Sequence, residues 1–131
     1  VTDGSRYCPE AMSQITGFSA DENLPGQRDM GNWRSCYFPD VEEITLHALR
    51  REAETAGVFC YADMGMPVYA NDRLAAVHSA EGGEKTLHFP PDVTAVTELY
   101  SRRRYSVDSN GEVQYHFAAP ETALFELQRD N

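Results

Sequence analysis

Hydrophobic and polar positions change period once along this chain. From Asp40 to Ala56 the apolar residues Val41, Ile44, Leu46, Ala48, Leu49, Ala53 and Ala56 recur at spacings of three and four, the mark of one broad helical face. Asp40 with Glu43 three residues on forms a capping box before this run, and Gly57 closes it. The expectation is a helix from Val41 to Ala56 that covers one face of a sheet. After Gly57 the period falls to two. Leu87 and Phe89 alternate against Thr86 and His88; Val113, Tyr115 and Phe117 alternate against Gln114 and His116; Ala123, Phe125 and Leu127 share one face.

Turn residues separate these alternating runs. Asn71-Asp72, the hairpin-like Glu81-Gly82-Gly83-Glu84 and Asn110-Gly111 each favour tight turns, and Pro90-Pro91 breaks a ladder. The expected strands are Val58–Tyr61, Val68–Ala70, Arg73–His78, Lys85–Phe89, Val93–Tyr100, 113–117 and Thr122–Leu127. Leu74 and Val77 are expected in the core, and Val96 and Tyr100 near one face. About seven short strands with turns every 8–12 residues predict an antiparallel β-sandwich, so the fold class is mainly β with one prominent helix (α+β).

The N-terminal part carries less pattern. Val1–Cys8 is polar and expected to be extended. Pro9–Ile15 predicts a short helix with proline at its first position and Gly17 past its end. Ser19–Asn32 has no period and is expected to be a long surface loop. Trp33–Phe38 is an extended strand or an anchored coil. The expected organisation is an irregular segment over 1–39 and a helix with sandwich over 40–131, forming one compact domain overall.

Composition narrows the partners. A chain of 131 residues fits one domain and can bury a core without staples. The formal net charge is −10, which repels phosphate and argues against nucleic-acid and anionic-membrane surfaces. No apolar run approaches membrane-spanning length, and a soluble, cytoplasmic setting is favoured without being fixed. The three cysteines Cys8, Cys36 and Cys60 form no disulfide framework. Cys60 is expected to be a buried thiol, and Cys8 with Cys36 could pair only in an oxidising compartment.

Candidate chemistry is sparse. His47, His78, His88 and His116 show no paired ligand spacing, so no metal and no cofactor is expected, and His88 and His116 are expected on solvent faces. Asp63, Asp72, Glu81 and Glu84 could supply the two carboxylates of glycoside hydrolysis, but their abundance makes loop solvation the simpler expectation. No nucleophile elbow or phosphate loop is present. Arg102–Arg104 is expected to be a solvated turn. No catalytic residue is assigned. Trp33, Tyr61 and Tyr69 are the candidates for carbohydrate binding, because aromatic faces stack on the C–H faces of pyranoses. Trp33 stands out, since it follows the glycine-rich loop.

The run from Ala53 to Pro90 is more specific than its chemistry. Gly57-Val58-Phe59-Cys60-Tyr61, then Val68-Tyr69-Ala70-Asn71-Asp72-Arg73-Leu74-Ala75-Ala76-Val77-His78, then Gly83-Glu84-Lys85-Thr86-Leu87-His88-Phe89-Pro90 resemble, in order, the C-terminal region of bacterial β-galactosidase-like glycoside hydrolases. Val96–Tyr100 and Thr122–Leu127 continue the likeness, and Ser5–Phe18 is similar to the end of that family's flavodoxin-like trimerisation domain. Cys60 and the loop Ser19–Asn32 depart from the pattern. In such enzymes a catalytic TIM barrel comes first, so the resemblance carries no catalytic residue here. It implies a non-catalytic accessory domain that packs on or stabilises a catalytic part, with that part or other subunits as partners and a homo-oligomer as a further possibility. The alternatives are a carbohydrate-binding module and a stand-alone interaction domain.

Overall fold

The structure, a computed structural model, describes residues 8–130; the extended segment expected before Cys8 lies outside them. The chain divides into two compact units, Val1–Val58 and Phe59–Asn131. The described residues are mainly β, with two helices and nine strands paired antiparallel throughout.

The first unit begins with helix α1, Pro9–Thr16. Proline stands in its first turn, and Gly17 ends it in the left-handed region (φ 77°), donating its N–H to the Ser13 carbonyl. The expected long loop instead contains a strand. β1 (Gly26–Asp29) pairs with β2 (Arg34–Tyr37) as a hairpin. β1 is short and largely exposed and carries no alternation that would reveal it, whereas β2 is the strand alternative expected for 33–38.

The expected helix from Val41 is also shorter than its pattern. Asp40 does cap, accepting the Glu42 N–H at 3.0 Å, but only a 3-10 turn, Val41–Glu43. Thr45 caps a second start, its hydroxyl accepting the Ala48 N–H at 3.1 Å. Helix α2 therefore runs Leu46–Thr55, and no residue of it is buried. Its end is a Schellman motif: Val58 N–H reaches the Ala53 carbonyl and Gly57 N–H the Glu54 carbonyl. This geometry needs the positive φ of Gly57, 75°.

The second unit is the sandwich. Its strands are β3 (Val68–Ala70), β4 (Leu74–Ser79), β5 (Gly83–His88), β6 (Val93–Glu98), β7 (Arg103–Ser106), β8 (Glu112–Phe117) and β9 (Glu121–Arg129). Five form one sheet in the order β3-β4-β9-β6-β7, and β5 pairs with β8 in a second. The Glu81–Glu84 and Asn110-Gly111 turns thus carry the chain between sheets and do not close hairpins. The longest strand, β9, lies between β4 and β6.

The core lies between the sheets. Ala75, Val77, Val96, Ala123, Phe125 and Leu127 come from the larger one, and Leu87, Val113, Tyr115 and Phe117 from the smaller. Phe125 is the aromatic hub, edge-on to Phe89 at 5.9 Å and to Tyr115 at 5.2 Å. The Tyr115 hydroxyl donates to Glu121 Oε1 at 2.9 Å; burial, then that carboxylate, holds its pKa well above the phenol range.

Four expectations need correction. Leu74 is not in the core: it and Val77 are three apart, an odd separation that places them on opposite faces of β4, and only Val77 is buried. Val58–Tyr61 forms no strand; only the Tyr61 carbonyl is ladder-like, accepting the His88 N–H at 2.7 Å. Tyr100 does not share a face with buried Val96, because β6 ends at Glu98 and Tyr100 is exposed in the following turn. Cys60 is half-buried.

The division of the five-stranded sheet into inward and outward residues is testable by urea unfolding. Phe125→Ala should cost about 3–5 kcal/mol, whereas Leu74→Ala should cost about 1 kcal/mol or less. The reverse order would mean that the faces are misassigned.

Candidate functional site

A concavity beside one candidate residue, Trp33, lies in the first unit, between the tip of the β1–β2 hairpin and α2. Pairing of Asp29 with Arg34 closes the hairpin, and the Met30 N–H donates to the Trp33 carbonyl at 2.9 Å. Gly31 turns the loop at φ 93°, its N–H held by Asp29 Oδ1 at 2.8 Å. This turn leaves Trp33 48% exposed. The concavity measures about 350 Å³, and Asp29, Asn32, Trp33, Arg34, Glu52 and Thr55 are among its lining residues.

Glu52 anchors the helix side. Its Oε2 accepts from Gln27 Nε2 at 2.5 Å and from the Cys36 thiol at 3.4 Å; its Oε1 accepts from Arg51 Nη2 at 2.7 Å. The Arg51 hydrogen bond is the main reason that the Glu52 pKa is lowered. Desolvation raises the Cys36 thiol, and the hydrogen bond and charge of Glu52 add to that rise. Cys36 therefore stays a protonated donor at neutral pH and is not an activated nucleophile. The site can stack an apolar face and exchange hydrogen bonds.

The other two aromatic candidates belong to the second unit. Tyr61 is half-buried, edge-on to Phe59 at 4.9 Å and to Phe89 at 6.1 Å, and burial raises its pKa. Tyr69 is 79% exposed on β3. It continues a row across the outer face of the five-stranded sheet, through Ala76 and Leu124 to Leu99, whose N–H donates to the Leu124 carbonyl at 2.8 Å. Tyr61 thus packs on the core while Tyr69 faces away from it.

The polar candidates are dispersed. Asp63, Asp72, Glu81 and Glu84 are each exposed. No group of three or more His, Cys, Asp or Glu side chains among the described residues could hold a metal. His116 sits 3.0 Å from Glu84, and His88 sits 3.7 Å from Glu112, both on the outer face of the β5–β8 pair. No helix of the described residues is long and apolar enough to cross a membrane.

Glu98 went unnoticed in the sequence, where it reads as one more polar strand residue. It is only 2% exposed. Desolvation pushes its carboxyl up, but hydrogen bonds from the Ser101 N–H and hydroxyl and from the Tyr100 and Leu124 N–H groups outweigh that, and its pKa is lowered. These bonds fasten the β6–β7 turn, in which Arg102 takes a φ of 57°, so the role is structural.

Comparisons with protein-family models, with curated proteins and with solved structures find no match to this chain.

Because the folded pKa of Glu98 lies below the ordinary value of 4.5, its contribution is complete above that value. It is lost as pH falls through the lower folded value. Urea midpoints of the parent and Glu98→Gln should therefore differ most at neutral pH and converge as pH falls below the ordinary carboxyl value. A gap independent of pH would show that the carboxylate charge is not what holds the turn.

Proposed function

We propose that the chain is a non-catalytic accessory part of a β-galactosidase-like glycoside hydrolase, packing on the catalytic part and stabilising it. One observation carries this reading. Among the described residues of the first unit, Phe18 alone is buried, whereas Ile15, Leu24, Val41, Ile44, Leu46, Leu49 and Val58 are exposed. Isolated exposed apolar residues are ordinary, but this many around a unit with almost no core mark a surface meant to be covered. The ordered likeness of Ala53–Pro90 to the C-terminal region of those enzymes supplies the identity of the partner. A second reading, carbohydrate binding, is favoured by the concavity beside Trp33.

The accessory reading is tested with Leu46→Glu/Leu49→Glu. In the chain alone both positions are exposed, and the melting temperature should move by no more than about 2–4 °C. In the enzyme that carries this segment, the same pair should lower the melting temperature of the catalytic part well beyond that. Equal shifts in both contexts would remove the packing role.

A further inference from the structure

We propose that the concavity between the β1–β2 tip and α2 binds a single neutral pyranose, with Trp33 as its stacking platform. This inference rests on the carbohydrate-binding reading and assigns it a place, a ligand charge and a set of hydrogen-bonding groups.

Size is the first constraint. About 350 Å³ lies at the lower end of small-molecule sites, roughly 300–1,000 Å³, enough for one sugar ring but not for an extended chain.

The second constraint is unspent bonding capacity. Among the described residues, no hydrogen bond or ion pair is made by the side chains of Asn32, Trp33 or Arg34. These three are consecutive, and Gly31 and Asp29 fix the turn that presents them. They offer an indole face with its N–H, an amide that both donates and accepts, and a five-donor guanidinium. Opposite, Glu52 is held by Gln27, Cys36 and Arg51. Its position is therefore set before any ligand arrives, which lowers the ordering cost of binding.

Charge decides among ligands that could stack on the indole. The lining holds two carboxylates, Asp29 and Glu52, and one guanidinium, Arg34, and Arg51 pairs with Glu52 at 2.7 Å, so the charges around the concavity balance. An anionic sugar would gain Arg34 but meet both carboxylates. A cationic one would gain the carboxylates and the indole face but meet Arg34. A neutral polyol uses both kinds of group at once, since a hydroxyl can donate to Asp29 and accept from Arg34, while Glu52, already filled by Gln27, Cys36 and Arg51, stays a fixed wall. Its C–H face meanwhile covers Trp33. The weakly polar thiol of Cys36, kept protonated, adds no competing charge.

Trp33 is the chain's single tryptophan, so fluorescence excited beyond the tyrosine absorption band reports on this site alone. Full-length chain is titrated with the methyl glycosides of D-glucose, D-galactose and D-mannose, with D-glucosamine and D-glucuronate as charged probes, and with glycerol as a control. At least one neutral glycoside should give a saturable change in the millimolar range. Arg34→Ala and Asn32→Ala, which keep the reporter, should each weaken it about tenfold. Trp33→Ala should abolish binding by calorimetry, with far-UV circular dichroism and melting temperature confirming the fold. Sugar binding that is unchanged in all three variants would overturn this site while leaving carbohydrate binding standing. The absence of saturation by any sugar up to about 50 mM, in calorimetry as well as in fluorescence, would overturn both. Saturation by glucosamine or glucuronate alone would overturn the neutral ligand, and an equal response to glycerol would overturn the stacking geometry.

Discussion

The sandwich depends on one strand being in the middle. β9 is the last strand in sequence, yet it joins β4 on one side and β6 on the other, and without it the five-stranded sheet is two unconnected pairs. The same strand sends Ala123, Phe125 and Leu127 into the core, where Phe125 meets Phe89 and Tyr115. Backbone pairing and aromatic packing are thus imposed by one run of residues, and a slip of one position would turn all three outward. The links between strands follow from this. The chain crosses to the small sheet and back twice, at β5 and at β8, before β9 fills the gap.

The first unit works on different terms. Its elements are held by ends and turns: a proline and a glycine around α1, two successive caps before α2, a Schellman motif after it, and a tight loop at the β1–β2 tip. Each fixes backbone locally without removing much apolar surface from water. Phe18 is the exception, enclosed with Tyr37 at 5.2 Å and the Arg28 guanidinium over its ring at 4.7 Å. The contrast is between a well-packed sandwich and a locally capped but thinly cored unit, and it is what the proposed packing role rests on.

Much of the sandwich was legible because its strands are half-buried. The alternations at Leu87/Phe89, Val113/Tyr115/Phe117 and Ala123/Phe125/Leu127 all point inward as the period of two requires. Val58–Tyr61, which forms no strand, is a continuous apolar run, in which period cannot be read. β1 is hidden for the opposite reason: Gln27, Arg28 and Asp29 form no alternation to detect, whereas β2 lies within the stretch 33–38 that reads as a strand or an anchored coil. Asp40 and Glu43 have the spacing of a capping box, but Thr45 offers a second cap five residues on, and sequence alone does not rank the two. At the candidate site Trp33 was legible as an aromatic after a glycine-rich stretch. Its neighbours Glu52 and Thr55 were not, since a helix and a hairpin tip brought together by folding leave no spacing in the sequence.

The edges of the five-stranded sheet bear on how this chain can associate. One edge, β3, offers only three residues. The other, β7, carries Arg103 and Arg104 and follows Arg102 out of the turn. A short edge and a charged edge are poor templates for another strand. The sheet is thereby closed to growth by backbone pairing, which guards against ribbon-like aggregation between copies. Association through this sheet is left to its side-chain face, where shape and composition can discriminate between partners in a way that a bare row of amides cannot.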